Sequence, residues 1–347
     1  MKKPQWFLAA LVAAALMTSA CGGYEPASAG AGSDAPAAIR LGYFPNLTHA
    51  TAIVGVDEGL FQDSLGEVEL ETAIFNSGTE AVEALFSDAI DASFVGPNPA
   101  INAWQQSEGA AIRIVSGATS GGAFLVVRDG IDSAEDLAGK TLSTPDLGNT
   151  QDVALRAWLK DNGFETDLEG GGDVSIMPQE NSQILETFRS GDIDGAWVPE
   201  PYATRLILEG DGHVLVDERD LWPDGKYVTT HLIVATTFLE EHPDIVKGLL
   251  AGVVAANELI NEDPERAKLV VNEGLEAIVG SAIPDETLDA AWKNLLFTLD
   301  PIASSLEGSA DAAVEVELLE PVELDGIYDI SLLNEVLEEA GLPGVSL

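Results

Sequence analysis

The chain has 347 residues, 46% of them hydrophobic, with 59 acidic against 16 basic residues and a formal charge of −43. That length allows about two ordinary domains, and the apolar fraction is ample for their cores. So negative a surface argues against nucleic acid or an anionic membrane face as a partner. The acidic residues are scattered rather than blocked into a tail. They predict adaptation to high salt, since self-repulsion at low ionic strength is relieved by screening. The melting temperature should therefore rise between dilute buffer and molar salt; a flat response would refute it.

Residues 1–20 read as a targeting segment: Lys2 and Lys3, an apolar run over 6–17, then Thr18, Ser19 and Ala20 before Cys21. The run is too short for a comfortable membrane span. The pattern resembles a lipoprotein signal in which Cys21 becomes the lipidated first residue, although Thr18 stands where such boxes usually carry Leu. Cleavage without lipidation is the alternative. The single cysteine allows no internal disulfide. Residues 21–38, rich in Gly, Ala, Ser and Pro, read as a flexible tether.

The folded part opens with a strand at 39–44, a turn at 45–49 and a helix over 50–58 closed by Gly59. A strand at 68–75 and an amphipathic helix at 79–86 follow. Ile90, Ala92, Phe94 and Val95 form a buried strand that stops at Gly96-Pro97. Asn98 is the expected N-cap and Pro99 the first helical residue, with a helix from Ala100. Strands are expected at 112–116 and 123–128, separated by the glycine-rich 117–122. The pattern then restarts: a helical turn at 134–137, strand 140–143, helix 151–162 capped by Asn149 or Thr150, strand 174–177, helix 183–189 and strand 193–198. Strands at 214–216 and 228–235 lead into helices at 240–257, 264–274, 286–299 and 331–340.

Residues 86–99 and 188–201 resemble each other. Each passes from a Phe-bearing helix through Ile-Asp into an apolar strand and stops at Pro-X-Pro; Asn76-Ser77 and Asn181-Ser182 open the preceding helices. Alternating β and α without a long repeat indicates an α/β fold with mostly parallel sheets. The duplication suggests two lobes with a ligand between them. Lobe one is expected at 39–126 and 228–347, lobe two at 127–227, joined by two crossings near 124–128 and 227–231.

Several runs carry a resemblance: Leu41 to Ala50 (Leu-Gly-Tyr-Phe-Pro-Asn-Leu-Thr-His-Ala), 54–61, 96–102 (Gly-Pro-Asn-Pro-Ala-Ile-Asn), 120–123, 137–142 and 197–202 (Trp-Val-Pro-Glu-Pro-Tyr). Their order and spacing resemble the periplasmic-type substrate-binding proteins of the nitrate/sulfonate/taurine transporter group, the aliphatic-sulfonate branch above all. The resemblance covers about 39–299. It implies a type II clamshell with a two-strand hinge, an ABC permease and its ATPase as partners, a monomer, no catalysis and no cofactor.

The expected site lies between the lobes. Lobe one contributes Asn46, Thr48, His49, Pro97, Asn98, Ser120 and Gly121; lobe two contributes Asn149, Thr150, Gln151, Trp197 and Glu200. Hydroxyls, amides and helix-start N–H groups suit an oxyanion, with Trp197 against a short tail and His49 open to protonation. Glu200 opposes an anion and is the awkward member. The four histidines, His49, His213, His231 and His242, are not spaced as a metal set. A pyrimidine vitamin precursor, nitrate or an aromatic carboxylate are the alternative ligands, and a ligand-sensing receptor the alternative role.

Overall fold

The computed structural model describes residues 38–347. The targeting segment, Cys21 and the tether lie outside the described residues, except that Ala38 opens the first strand. The first stretch runs β1 (Ala38–Tyr43), α1 (Ala50–Asp57), α2 (Leu60–Leu65), β2 (Glu69–Ile74), α3 (Gly78–Phe86), β3 (Ala92–Val95), α4 (Pro97–Gln106) and β4 (Ile112–Gly121). The second runs β5 (Ala123–Val127), β6 (Thr141–Thr144), α5 (Thr150–Asp161), β7 (Ser175–Pro178), α6 (Asn181–Ser190), β8 (Gly195–Pro199), α7 (Tyr202–Gly210) and β9 (His213–Asp217). The chain then returns through β10 (Val228–Ala235), α8 (Thr236–Glu241), α9 (Pro243–Glu262), α10 (Pro264–Val279), α11 (Asp285–Trp292), β11 (Leu295–Phe297), α12 (Ala303–Glu315) and α13 (Ser331–Glu339).

These strands build two sheets, ordered β11-β4-β10-β3-β1-β2 and β7-β6-β8-β5-β9. Each contains a parallel trio, β2-β1-β3 in one and β7-β6-β8 in the other. The expected mostly parallel sheets are in fact mixed. β10 lies antiparallel against both β3 and β4, β11 against β4, and β5 against both β8 and β9. The reason is connectivity. A helical crossover returns the chain parallel, whereas β5 and β10 each arrive from the other sheet and run against the trio they join.

Those two arrivals are the crossings. The first is at Gly121-Gly122, both with positive φ (77° and 75°), the left-handed region that glycine enters without a Cβ penalty. β5 pairs in the second sheet along its whole length, so the chain changes sheet a few residues before the expected 126/127 division. The second crossing lies between β9 and β10.

Each sheet is covered on both faces. One side of the first sheet packs Ile39, Leu41 and Phe94 against Phe61, Val246, Leu250 and Leu337. The other packs Val95, Ile112 and Ile114 against Ile101, Leu306 and Ala310. In the second sheet Leu125, Leu142 and Trp197 meet Leu155 and Leu159 on one side, and Val126, Ala196 and Val198 meet Ile184, Phe188 and Leu206 on the other. Strands buried on both faces read as continuous apolar runs rather than alternating ones.

Three local expectations change. The helix expected over 286–299 ends at Trp292, because 295–297 form β11 and pair with Thr119–Gly121. β4 runs on to Gly121, past the expected stop at 116. α4 begins at Pro97 with Gly96 as its N-cap, two residues before the expected Asn98 cap.

Candidate ligand-binding site

A cavity of about 40 Å³ lies between the two sheets. Its wall takes residues from beyond the carboxyl end of every strand in both parallel trios: Phe44 to His49 after β1, Asn76 to Gly78 after β2, Gly96 after β3, Pro145 after β6 and Asn181 after β7, with Pro199 at the end of β8. This is where parallel α/β sheets hold ligands. Thr229, near the start of the crossing strand β10, completes it.

Four helices begin at this cavity. Asn149 caps α5 by accepting from Asp152 N at 3.0 Å, so the amides of Thr150 and Gln151 are first-turn donors. Ser77 caps α3 by accepting from Glu80 N at 3.4 Å. Asn181 opens α6, and Gly96 precedes α4. Because Pro97 and Pro99 lack an N–H, α4 offers only the Asn98 amide from its first three residues. Helix starts carry partial positive charge. Among the described residues no Lys, Arg, Asp or Glu lines the cavity, so oriented dipoles set the polarity of its wall.

Among the described residues His49 is the only titratable one in the wall. It is buried, and burial holds its pKa down to about 3, so it is neutral in ordinary buffers rather than protonated. Its Nδ1 accepts the Phe44 amide at 3.2 Å, which places the ring proton on Nε2. The ring stacks on Phe44, centroids 4.3 Å apart. Thr48 Oγ1 donates to Asn46 Oδ1 at 2.5 Å, leaving the Asn46 amide N–H groups as donors. Thr119 Oγ1 donates to the Thr48 carbonyl at 2.7 Å and ties this loop to β4.

Asn46, Thr48, His49, Asn149, Thr150 and Gln151 thus come together around one cavity. The other six expected residues lie outside its wall. Pro97 and Asn98 sit inside the first turn of α4, and Asn98 Nδ2 donates to Ser309 O at 3.2 Å. Ser120 and Gly121 are strand residues of β4, paired with β11. Trp197 is wholly buried on the α5 side of the second sheet, its Nε1 donating to Glu218 Oε2 at 2.7 Å. Glu200 accepts from Thr204 Oγ1 at 2.8 Å, Thr204 N at 3.1 Å and Asn294 Nδ2 at 2.6 Å. Burial raises its pKa, and those bonds draw it back. It organises the start of α7 and a contact to the β11 side, which resolves its awkwardness: it does not face the ligand space.

Asn76, Ser77 and Asn181 were legible as helix openers in the duplicated pattern, and the same pattern places them opposite each other in the wall. Thr229 carried no local signal, because a crossing strand brings it in.

The model of the NMT1-like family matches residues 32–272. The chain belongs to the NMT1-like family. This NMT1-like chain is 29% identical over 191 residues to the taurine-binding periplasmic protein of Escherichia coli, 55% of its own length and 57% of that relative's. Among solved structures it is similar to the alkanesulfonate-binding protein SsuA of Xanthomonas axonopodis bound to MOPS, with a TM-score of 0.68, 17% identity and coverage of 82% and 95%. It is likewise similar to the periplasmic nitrate-binding protein NrtA of Synechocystis, with a TM-score of 0.75, 15% identity and coverage of 88% and 90%. The two-lobed periplasmic-binding-protein fold expected from the resemblance is thereby met.

Proposed function

We propose that this NMT1-like protein is the extracytoplasmic solute-binding component of an ABC importer, and that it captures a small organic oxyanion, an aliphatic sulfonate, between its lobes. The observation that carries this reading is the convergence of four helix starts on a cavity whose wall, among the described residues, holds no charged side chain. Such dipoles stabilise negative charge without the long reach of a lysine or arginine. The cavity of about 40 Å³ is small, which favours a compact solute over a bulky ring. The names of the E. coli and Xanthomonas proteins, for taurine and alkanesulfonate, support a sulfonate, and that of the Synechocystis protein, for nitrate, supports a small oxyanion more broadly. A lone neutral histidine in the wall supplies no nucleophile–base pair, so the reading is capture rather than catalysis. Cys21, lipidated, would hold the chain at the outer face of the membrane, where a permease and its ATPase take the solute.

The test is a thermal-shift series with taurine, methanesulfonate, nitrate, benzoate and a hydroxymethylpyrimidine. A sulfonate should raise the melting temperature with the concentration dependence of native-state binding. Stabilisation by the pyrimidine or benzoate alone would overturn the ligand class.

His49 adds a sharper expectation. With its pKa near 3, the ring stays neutral above about pH 5, so sulfonate affinity should be flat from pH 5.5 to 8. His49→Ala should weaken binding about tenfold, the 1.4 kcal/mol expected of one donor. Affinity that climbs steadily as pH falls toward 5.5 would instead mean a protonated imidazolium at the anion.

A further inference from the structure

Gly96 sits at the lobe-to-lobe boundary of the cavity, on the β3–α4 turn. Its backbone (φ −72°, ψ 169°) is ordinary extended chain that any residue adopts. Nothing in its own conformation calls for glycine. The space its side chain would fill is taken from the other lobe: a Cβ there would stand 2.4 Å from Thr150 Oγ1, with Thr150 Cβ and the Thr229 carbonyl next at 3.6 Å. Thr150 is the first residue of α5 and lines the same cavity. Nearby, Thr79 Oγ1 on α3 donates to Asp146 Oδ2 on the β6–α5 loop at 3.1 Å, a second contact across the same gap.

We propose that Gly96 sets how closely the two lobes approach, and through that the size of solute the cavity accepts; this rests on the binding reading above. One added methyl falls roughly 1 Å short of the ~3.5 Å at which such atoms rest. Thr150 carries two heavy atoms on Cβ and is restricted at χ1, so the strain is relieved chiefly by moving α5 away from β3. Gly96→Ala therefore costs the separated lobes little beyond the weaker N-cap that alanine gives α4, and its clash falls on the closed form alone. It holds the cavity wider, to the detriment of compact solutes and the benefit of longer ones. Thr150→Ser restores the fit, because a single heavy atom on Cβ can turn away. Thr150→Val does not, because two heavy atoms remain there.

Two measurements test this. In the full chain carrying Cys21→Ser, Thr79→Cys and Asp146→Cys, a short bis-maleimide reports lobe approach without any solute. Gly96→Ala should slow cross-linking by about tenfold, within the range that overpacking by one methylene gives, and adding Thr150→Ser should recover most of it. Calorimetric titration with taurine and with hexanesulfonate then reads size selection: Gly96→Ala should lose taurine affinity and shift the ratio toward hexanesulfonate. Unchanged cross-linking, or rescue by Thr150→Val as good as by Thr150→Ser, overturns the proposal. Equal losses for both sulfonates overturn its size-selecting part. If the parent binds neither sulfonate, the transport reading fails, and the cross-linking rates still decide Gly96.

Discussion

Trp197→Ala is expected to cost about 3–5 kcal/mol of stability, the range for emptying a large aromatic site in a core, while the fraction that remains folded keeps its solute affinity. Trp197 is 0% exposed, sits 6.3 Å from the Trp158 ring and belongs to the α5-side core of the second sheet. Trp197→Phe separates packing from hydrogen bonding. It keeps most of the volume and removes the Nε1 donor to Glu218, itself 2% exposed. Burial pushes the Glu218 carboxyl up to about 7, with the Trp197 and Trp222 hydrogen bonds pulling the other way. A carboxyl raised in the native state binds more protons folded than unfolded between about pH 4.5 and 7. Its contribution to stability therefore falls as pH rises through that window. Without the indole N–H the native pKa rises further, so the cost of Trp197→Phe should be larger at pH 8 than at pH 5.5, reaching about 1–3 kcal/mol. Chemical denaturation at the two pH values checks it. Equal costs, or a loss of sulfonate affinity by the folded Trp197→Ala protein, would return Trp197 to the binding site.

Trp197 also shows where sequence reasoning stops. The strand, its Pro-X-Pro end and the duplication with 90–99 were all legible, because short apolar runs between breakers leave a local mark. The face that Trp197 takes was not. β8 is buried along its whole length, so no polar–apolar alternation separates core from cavity, and only Pro199 at its carboxyl end reaches the ligand space. The polar loop residues were easier. Asn46, Thr48, Asn149 and Thr150 follow strands and precede helices, and a polar residue at such a turn has few other places to be. Ser120 and Gly121 misled because a glycine-rich run reads as loop, whereas pairing with β11, from far down the chain, keeps them in the sheet. Thr229 and the Gly96–Thr150 approach are likewise products of long-range contact.

The site's second lobe depends on an ion pair whose i,i+4 spacing on α5 is a local pattern but whose burial is not, and breaking it should be among the most damaging single changes. Asp152 and Arg156 are 0% and 1% exposed, with Arg156 Nε 2.9 Å from Asp152 Oδ2. The same carboxylate accepts Gly148 N at 2.9 Å and Thr144 Oγ1 at 2.9 Å, while Arg156 Nη1 donates to the Asp167 carbonyl at 2.8 Å. One charge pair therefore pins both ends of the loop between β6 and α5, the loop that delivers Asn149, Thr150 and Gln151. Such a pair need not add net stability over an apolar replacement, but removing one partner strands the other in a dry interior, at about 3–5 kcal/mol. Arg156→Met should accordingly lower the melting temperature by roughly 6–10 °C at about 2 °C per kcal/mol. It should also weaken sulfonate binding about tenfold, because Thr150 and Gln151 lose their fixed aim. Adding Asp152→Asn removes the stranded charge and should recover part of the stability but not the affinity, since Gly148 and Thr144 then bond to a weaker acceptor. The two readouts part company in that double variant. If affinity returns along with stability, the ion pair serves folding alone and the loop finds its geometry without it.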